Sequence, residues 1–208
     1  PAPRAVCAAG GEAIFVQGEV SDAASVQAMV AATVEAYGRL DIAFNNAGIT
    51  GPTTLRIAET PDDEFDQVFA VNARGVFLCM KHQIPEMLKV GGGAIINHSS
   101  RSGHRGGIGS VAYYGSKHAV IGLTRAAALE YGDQGVRVNA IMPSLIDSGL
   151  LERAHGHAEE FLAAFLAATP LKRMGTSAEV SDVVLWLASD ESSFVTGASI
   201  PIDGAATV

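Results

Sequence analysis

The feature that most constrains the fold of this chain is an alternation. Short apolar runs are separated by longer amphipathic segments, the pattern of a parallel sheet covered by helices on its faces. Strands are expected at Glu12–Val20, Leu40–Asn45, Gly93–His98, Val136–Met142 and Ala198–Ile202. Helices are expected at Ala23–Tyr37, Pro61–Lys89, Ala112–Tyr131, His157–Ala168 and Ser177–Ala188. Ser21 or Asp22 can cap the first of these, and Gly38 follows its end. Thr60 stands as a cap before Pro61 at the first helical position. Pro85 predicts a kink or an early stop in that long helix. Ser177 with Val180 makes only half a capping box, while Glu179 places an acid in the first turn. No repeat or linker interrupts the pattern, so residues 1–208 are expected to form a single domain.

Composition narrows the function. The chain has 208 residues, 48% of them apolar and 17% charged, with a net charge of −8 and no basic run. Nucleic acid and anionic membrane are therefore poor partners. No apolar stretch approaches the roughly 18 residues of a membrane span. Cys7 and Cys79 lie far apart without metal-like spacing, and the six histidines show no ligand spacing, so no metal is expected. A soluble, cytoplasmic protein is the expectation.

In sheets of this kind, ligands gather beyond the carboxyl ends of the strands. Those ends read Gly18-Glu19-Val20, Asn45-Asn46-Ala47-Gly48, Ser99-Ser100 and Pro143-Ser144. Each alone is ordinary turn chemistry. Four in succession point to a binding crevice. Beyond the third end lie Tyr113 and, four residues on, Lys117. On a helix, positions i and i+4 share a face. A cation there favours the phenolate and draws the Tyr113 pKa down from about 10 toward neutrality. Ser100, arriving from a strand end, can hydrogen-bond the same substrate oxygen. That is the chemistry of a carbonyl becoming an alcohol.

Taken together, these motifs resemble the short-chain dehydrogenase/reductase family over essentially the whole chain. The matching segments are Asn45-Asn46-Ala47-Gly48, Asn72 within VFAVNARGVF, Ser100, Tyr113 and Lys117, and Val138-Asn139-Ala140 followed by Pro143. The tail from Pro170 through Val195-Thr196-Gly197 to Asp203-Gly204 follows the family as well. The resemblance implies a Rossmann-like, doubly wound α/β fold and an NAD or NADP cofactor. It implies a secondary alcohol or ketone substrate and a homodimer or homotetramer built by helix bundling, where Ala126-Ala127-Ala128 would allow close approach. In the role it implies, Tyr113 is the general acid or base, Lys117 tunes it and binds ribose hydroxyls, and Ser100 orients the substrate. Asn72 supports a proton-relay water. Glu19 and Val20 fall beside adenine, Asn46, Ala47 and Gly48 on the adenosine side, and Ile146 and Ser148 at the carboxamide.

The chain also departs from that pattern. Glu19 stands in place of the usual Asp, and Ser144 in place of the Gly that usually follows Pro143. No Thr-Gly-x-x-x-Gly-x-Gly loop is present, since Gly10-Gly11 reads as a turn. The expectation is an N-terminally incomplete member, lacking the first two strands and the glycine-loop helix, with unpaired strand edges. A 208-residue polypeptide on its own would then bind dinucleotide weakly or not at all. The alternative reading is a catalytically silent member that serves as an assembly domain.

Overall fold

The computed structural model describes residues 2–52, 54–108, 110–147 and 158–208. The helices and strands are α1 (Ala2–Ala8), α2 (Ala23–Tyr37), β1 (Ile42–Asn45), α3 (Asp62–Phe69), α4 (Gly75–Lys89), β2 (Gly93–His98), α5 (Val111–Tyr131), β3 (Val136–Pro143), β4 (Ile146–Asp147), α6 (Ala158–Ala168), β5 (Gly175–Thr176), α7 (Ser177–Ala188) and β6 (Ser199–Ile202). The main sheet is parallel throughout, in the order β1-β2-β3-β6. β4 and β5 form a separate parallel pair beside it. The expected α/β architecture with a parallel sheet is what the chain adopts.

Period-two alternation divides the core between the two faces of this sheet. On one face Ile95, Val136 and Val138 pack with Met80, Ile84 and Met87 of α4 and with Val120 and Ala127 of α5. On the other, Ala94, Ile96 and Ile141 meet Leu187 of α7. α2 lies outside α4, its Val26 buried against Leu78 and Cys79. Ala127 and Ala128 belong to the chain's own core, so two of the three consecutive alanines face inward rather than toward a partner.

The local signals held where they were self-contained. Asp22 caps α2 by accepting from the Ser25 amide at 2.7 Å. Gly38 ends it with φ +78°, a left-handed turn that favours glycine. Elsewhere the caps moved by one residue. Pro61, not Thr60, is the residue before α3, and the Thr60 hydroxyl donates instead to the Arg56 carbonyl. α7 is capped by Thr176 in a complete box with Glu179, one residue earlier than Ser177.

Three expectations need larger correction. Glu12–Val20 is not a strand: it runs without a ladder partner, with Ile14 and Phe15 exposed, because no strand among the described residues lies beside it to satisfy its backbone. Correspondingly, β1 pairs on one side only and leaves Ile42 and Phe44 half-exposed. Pro85 does not stop the long helix early, since α4 continues through it to Lys89. The helix is instead interrupted earlier, by a π turn over Ala70–Arg74 centred on Asn72. Such single wide turns recur at functional sites.

Candidate active site

β2, β3 and β1 all end at the same edge of the sheet, and α5 begins there. Ser100 follows β2 by two residues and accepts a hydrogen bond from the Ser102 amide at 3.1 Å, which fixes the turn. The Ser99 hydroxyl donates to the Lys117 carbonyl at 2.8 Å and pins α5 to the strand end. This anchoring carries Ser100 and Tyr113 into the wall of one cleft of about 430 Å³, with Asn46, His98, Ser144 and Ile146. A second hollow of about 220 Å³ shares Phe44 and Asn46 with it and continues past Ala47 to Val20. The two form an elongated trough along the carboxyl ends of the strands, where ligands of open α/β sheets bind.

Lys117 lies behind this trough rather than in it. Its ammonium is almost fully buried and donates to the His98 carbonyl at 2.9 Å. It sits 5.6 Å from the centre of the Tyr113 ring. Burial holds its pKa down at about 8. The Tyr113 phenol is shifted the opposite way to the sequence expectation. Burial raises its pKa, against a hydrogen bond with Ser100 that lowers it. Spacing correctly places Tyr113 and Lys117 on one helix face. It does not reveal that the ammonium would be occupied by a backbone carbonyl and itself weakened by desolvation.

Asn72 is fully buried, and its side chain is committed to protein groups. It accepts from the Ile49 amide at 2.8 Å and donates to the Ile49 carbonyl at 2.8 Å and to the Ser116 hydroxyl at 3.0 Å. The amide thus clamps the loop after β1 against α5. Gly48, the preceding residue, approaches so closely that a Cβ there would stand 3.3 Å from Asn72 Oδ1 and 3.4 Å from Lys117 Nζ.

Glu19 turns back on its own loop, accepting from the Ser21 amide at 3.0 Å and the Ser21 hydroxyl at 2.9 Å. These two bonds hold its carboxyl below the usual range. Glu19 does not line the trough, whereas Val20 does. Ile146 reaches the larger cleft from β4. Ser148 lies outside the described residues.

Two features escaped the sequence reading. His98 was passed over for want of ligand spacing, yet it lines the cleft with its ring 6.3 Å from Phe44. Burial, with Lys117 adding to it, pushes its pKa down to about 4. Beneath the cleft, Asn45, Gln83, Asn97 and Thr124 form a buried chain of hydrogen bonds. Asn45 donates to Gln83 at 3.1 Å and to Asn97 at 2.9 Å, and Asn97 donates to Thr124 at 3.0 Å. It ties β1 and β2 to α4 and α5. An asparagine inside an otherwise apolar strand run was the available signal.

Among the described residues, no group of three His, Cys, Asp or Glu side chains could hold a metal ion. None of the described helices is long and apolar enough to cross a membrane.

Comparison with known proteins places this geometry in context. The sequence profile of the family described as Enoyl-(Acyl carrier protein) reductase matches residues 2–207. An uncharacterized oxidoreductase of Thermotoga maritima is 43% identical over 201 residues, which span 95% of this chain and 78% of the relative. The crystal structure of an NAD+-bound xylitol dehydrogenase superposes with a TM-score of 0.92 at 30% identity, covering 98% of this chain and 83% of that one. ElxO with NADP bound superposes with a TM-score of 0.87 at 35% identity, covering 93% and 77%.

Proposed function

The chain belongs to the short-chain dehydrogenase/reductase family, and on that premise we propose that it is an NAD(P)-dependent oxidoreductase interconverting a secondary alcohol and a ketone. The observation that carries this reading is the meeting of Ser100 and Tyr113 in one cleft, with Lys117 buried behind them. A buried ammonium weakens a fold. A purely structural assembly domain has no use for one, which disfavours the silent alternative.

The trough fits an elongated dinucleotide. A Cβ at Gly48 would crowd Asn72 and Lys117, so the glycine keeps the space beside them open. Val20, Asn46 and Ala47 would hold the adenosine half, and Ile146 the nicotinamide half, with Lys117 behind it. Relatives of known structure hold either NAD+ or NADP. A bound nicotinamide would supply or accept the hydride.

The protein's own residues handle the proton and the geometry. Ser100 donates to the substrate oxygen and fixes its position. Tyr113, kept protonated at neutral pH by its burial, gives its proton to that oxygen in reduction and takes it back in oxidation. Lys117, charged below about pH 8, favours the phenolate when the proton has left. Asn72 acts as a positioning residue, holding the Ile49 backbone and the Ser116 hydroxyl that flank the reacting pair. We read the assembly as a homodimer or homotetramer. Leu129 on α5, Leu185 on α7 and Phe194 are apolar side chains left exposed.

The test is cofactor-linked turnover. Purified protein is mixed with NADH or NADPH and a panel of ketones, and absorbance of the reduced nicotinamide is followed. Consumption that requires a ketone supports the reading. Tight cofactor binding without turnover of any ketone or secondary alcohol would contradict it.

A further inference from the structure

Among the described residues, one polar group in the wall of the reacting cleft has no partner. Four serines line that cleft: Ser100, Ser144, Ser177 and Ser181. Three of them are engaged. Ser100 accepts from the Ser102 amide and bonds Tyr113. Ser177 donates to the Asp147 carbonyl at 3.3 Å, and Ser181 to the Ser177 carbonyl at 3.0 Å. The Ser144 hydroxyl is shut off from solvent and has no hydrogen-bond partner among the described residues. A buried hydroxyl left unpaired costs stability, so a group that meets it from the cleft is favoured.

Ser144 follows β3 directly, at the position where this chain departs from the family's glycine. Its amide donates to the Ile202 carbonyl at 3.0 Å, and the Leu145 carbonyl accepts from the Gly175 amide at 3.1 Å. The backbone is thus pinned to β6 and β5, and rotation about the Cα–Cβ bond is the freedom left to the side chain. The dinucleotide trough leaves the cleft past Phe44 and Asn46 toward Val20. Ser144 and Leu145 border a different hollow, of about 340 Å³, which none of Val20, Asn46, Ala47 and Ile146 lines. Ser144 therefore stands on the side of the cleft away from the trough.

We propose that the Ser144 hydroxyl, by rotation about its Cα–Cβ bond, binds a second hydroxyl of the substrate on a carbon close to the reacting one, so that the preferred pair is a hydroxyketone and its diol. This rests on the oxidoreductase reading for the reacting carbon but not for the second hydroxyl. Ser100 and Tyr113 take the reacting oxygen. In reduction the carbonyl carbon gains the hydride that the cofactor supplies, its oxygen gains the Tyr113 proton, and the second hydroxyl is unchanged. A serine hydroxyl both donates and accepts. A hydroxyl on the substrate meets both roles, whereas a second carbonyl meets one.

The experiment uses two matched pairs that exchange a hydroxyl for a methyl group: 3-hydroxybutan-2-one with 3-methylbutan-2-one, and 4-hydroxybutan-2-one with pentan-2-one. Dissociation constants are measured on the purified protein by ligand-observed NMR, with and without NAD+ or NADP+, alongside turnover. The parent is expected to bind the hydroxyketone of at least one pair about two- to tenfold tighter, the range of a neutral hydrogen bond. Ser144→Ala should bring that ratio to near one, with a urea unfolding midpoint no lower than the parent's. Should Ser144→Ala fail to fold, Ser144→Gly, which also lacks the hydroxyl, decides. Equal affinities within both pairs in the parent would overturn the proposal, as would a preference that survives removal of the hydroxyl. Weakened cofactor binding with the preference intact would give Ser144 to the cofactor and overturn the substrate assignment. A preference lost in Ser144→Ala, but without turnover of any ketone, would support the hydroxyl site and count against the oxidoreductase reading alone.

Discussion

Lys117 donates through its buried ammonium to the carbonyl oxygen of His98 at 2.9 Å, joining the face of α5 that carries Tyr113 to the strand end that carries Ser100. The bond brings a cation, an imidazole and a phenol into one desolvated region. Each of the three is shifted away from its charged form by burial.

Lys117 sets stability against function. Its folded pKa of about 8 lies below the ordinary 10.5, so between those values the unfolded chain holds more protons and stability rises with pH. Below pH 8 the full penalty remains, about 3 kcal/mol. Lys117→Met removes it but leaves the His98 carbonyl unpaired, at about 1–3 kcal/mol. The variant should be no less stable than the parent at pH 7, within about 1 kcal/mol. It should also lack the parent's rise in stability from pH 8 to 10.5. Urea unfolding at pH 7 and 9.5 measures both.

His98 gives the acid limb. Its folded pKa of about 4 lies below the ordinary 6.5, so its contribution is complete above pH 6.5 and is lost as pH falls toward 4. The loss amounts to about 3 kcal/mol. His98→Leu should flatten that part of the stability–pH curve. Guanidinium unfolding midpoints at pH 4.5 and 7 give the comparison.

Asn97 anchors the buried amide chain. Replacing it with Ala leaves Asn45 and Thr124 short of partners in a dry interior. Destabilisation of about 2–4 kcal/mol is expected. A change below about 0.5 kcal/mol would mean the chain carries no net stability.

The Asn72 clamp should be felt at the cofactor site. Asn72→Ala frees the Ile49 backbone and, with it, the close approach at Gly48. Cofactor affinity should fall about tenfold, the effect of losing one to two hydrogen bonds. Fluorescence titration with NADH and NADPH reads it directly.

These relationships show what the sequence carried and what it could not. α2 is legible because its cap, its periodicity and Gly38 are all local. β2 and α7 are placed to the residue for similar reasons. Glu12–Val20 fails because a strand exists only with a neighbour, and apolar content says nothing about whether one is there. The π turn at Asn72 and the bond from Lys117 to His98 are products of packing between distant segments. Residue spacing brought Ser100 and Tyr113 to one cleft, but the upward shift of the Tyr113 pKa depended on burial that only the packed structure reveals.

That upward shift predicts the pH behaviour of the reaction. With its pKa above the ordinary 10, Tyr113 is an acid at neutral pH. Ketone reduction should run well at pH 6–8 and decline in alkali, while alcohol oxidation should rise with pH above neutrality. Initial rates in both directions over that range test the sign.

The most direct measurement is turnover by Tyr113→Phe at saturating ketone and cofactor. With Tyr113 as the proton donor, kcat should fall about 10²–10⁴-fold while the dissociation constant of the cofactor stays within about threefold of the parent's. A kcat within about threefold of the parent's would remove Tyr113 from the chemistry and contradict the assignment of this cleft.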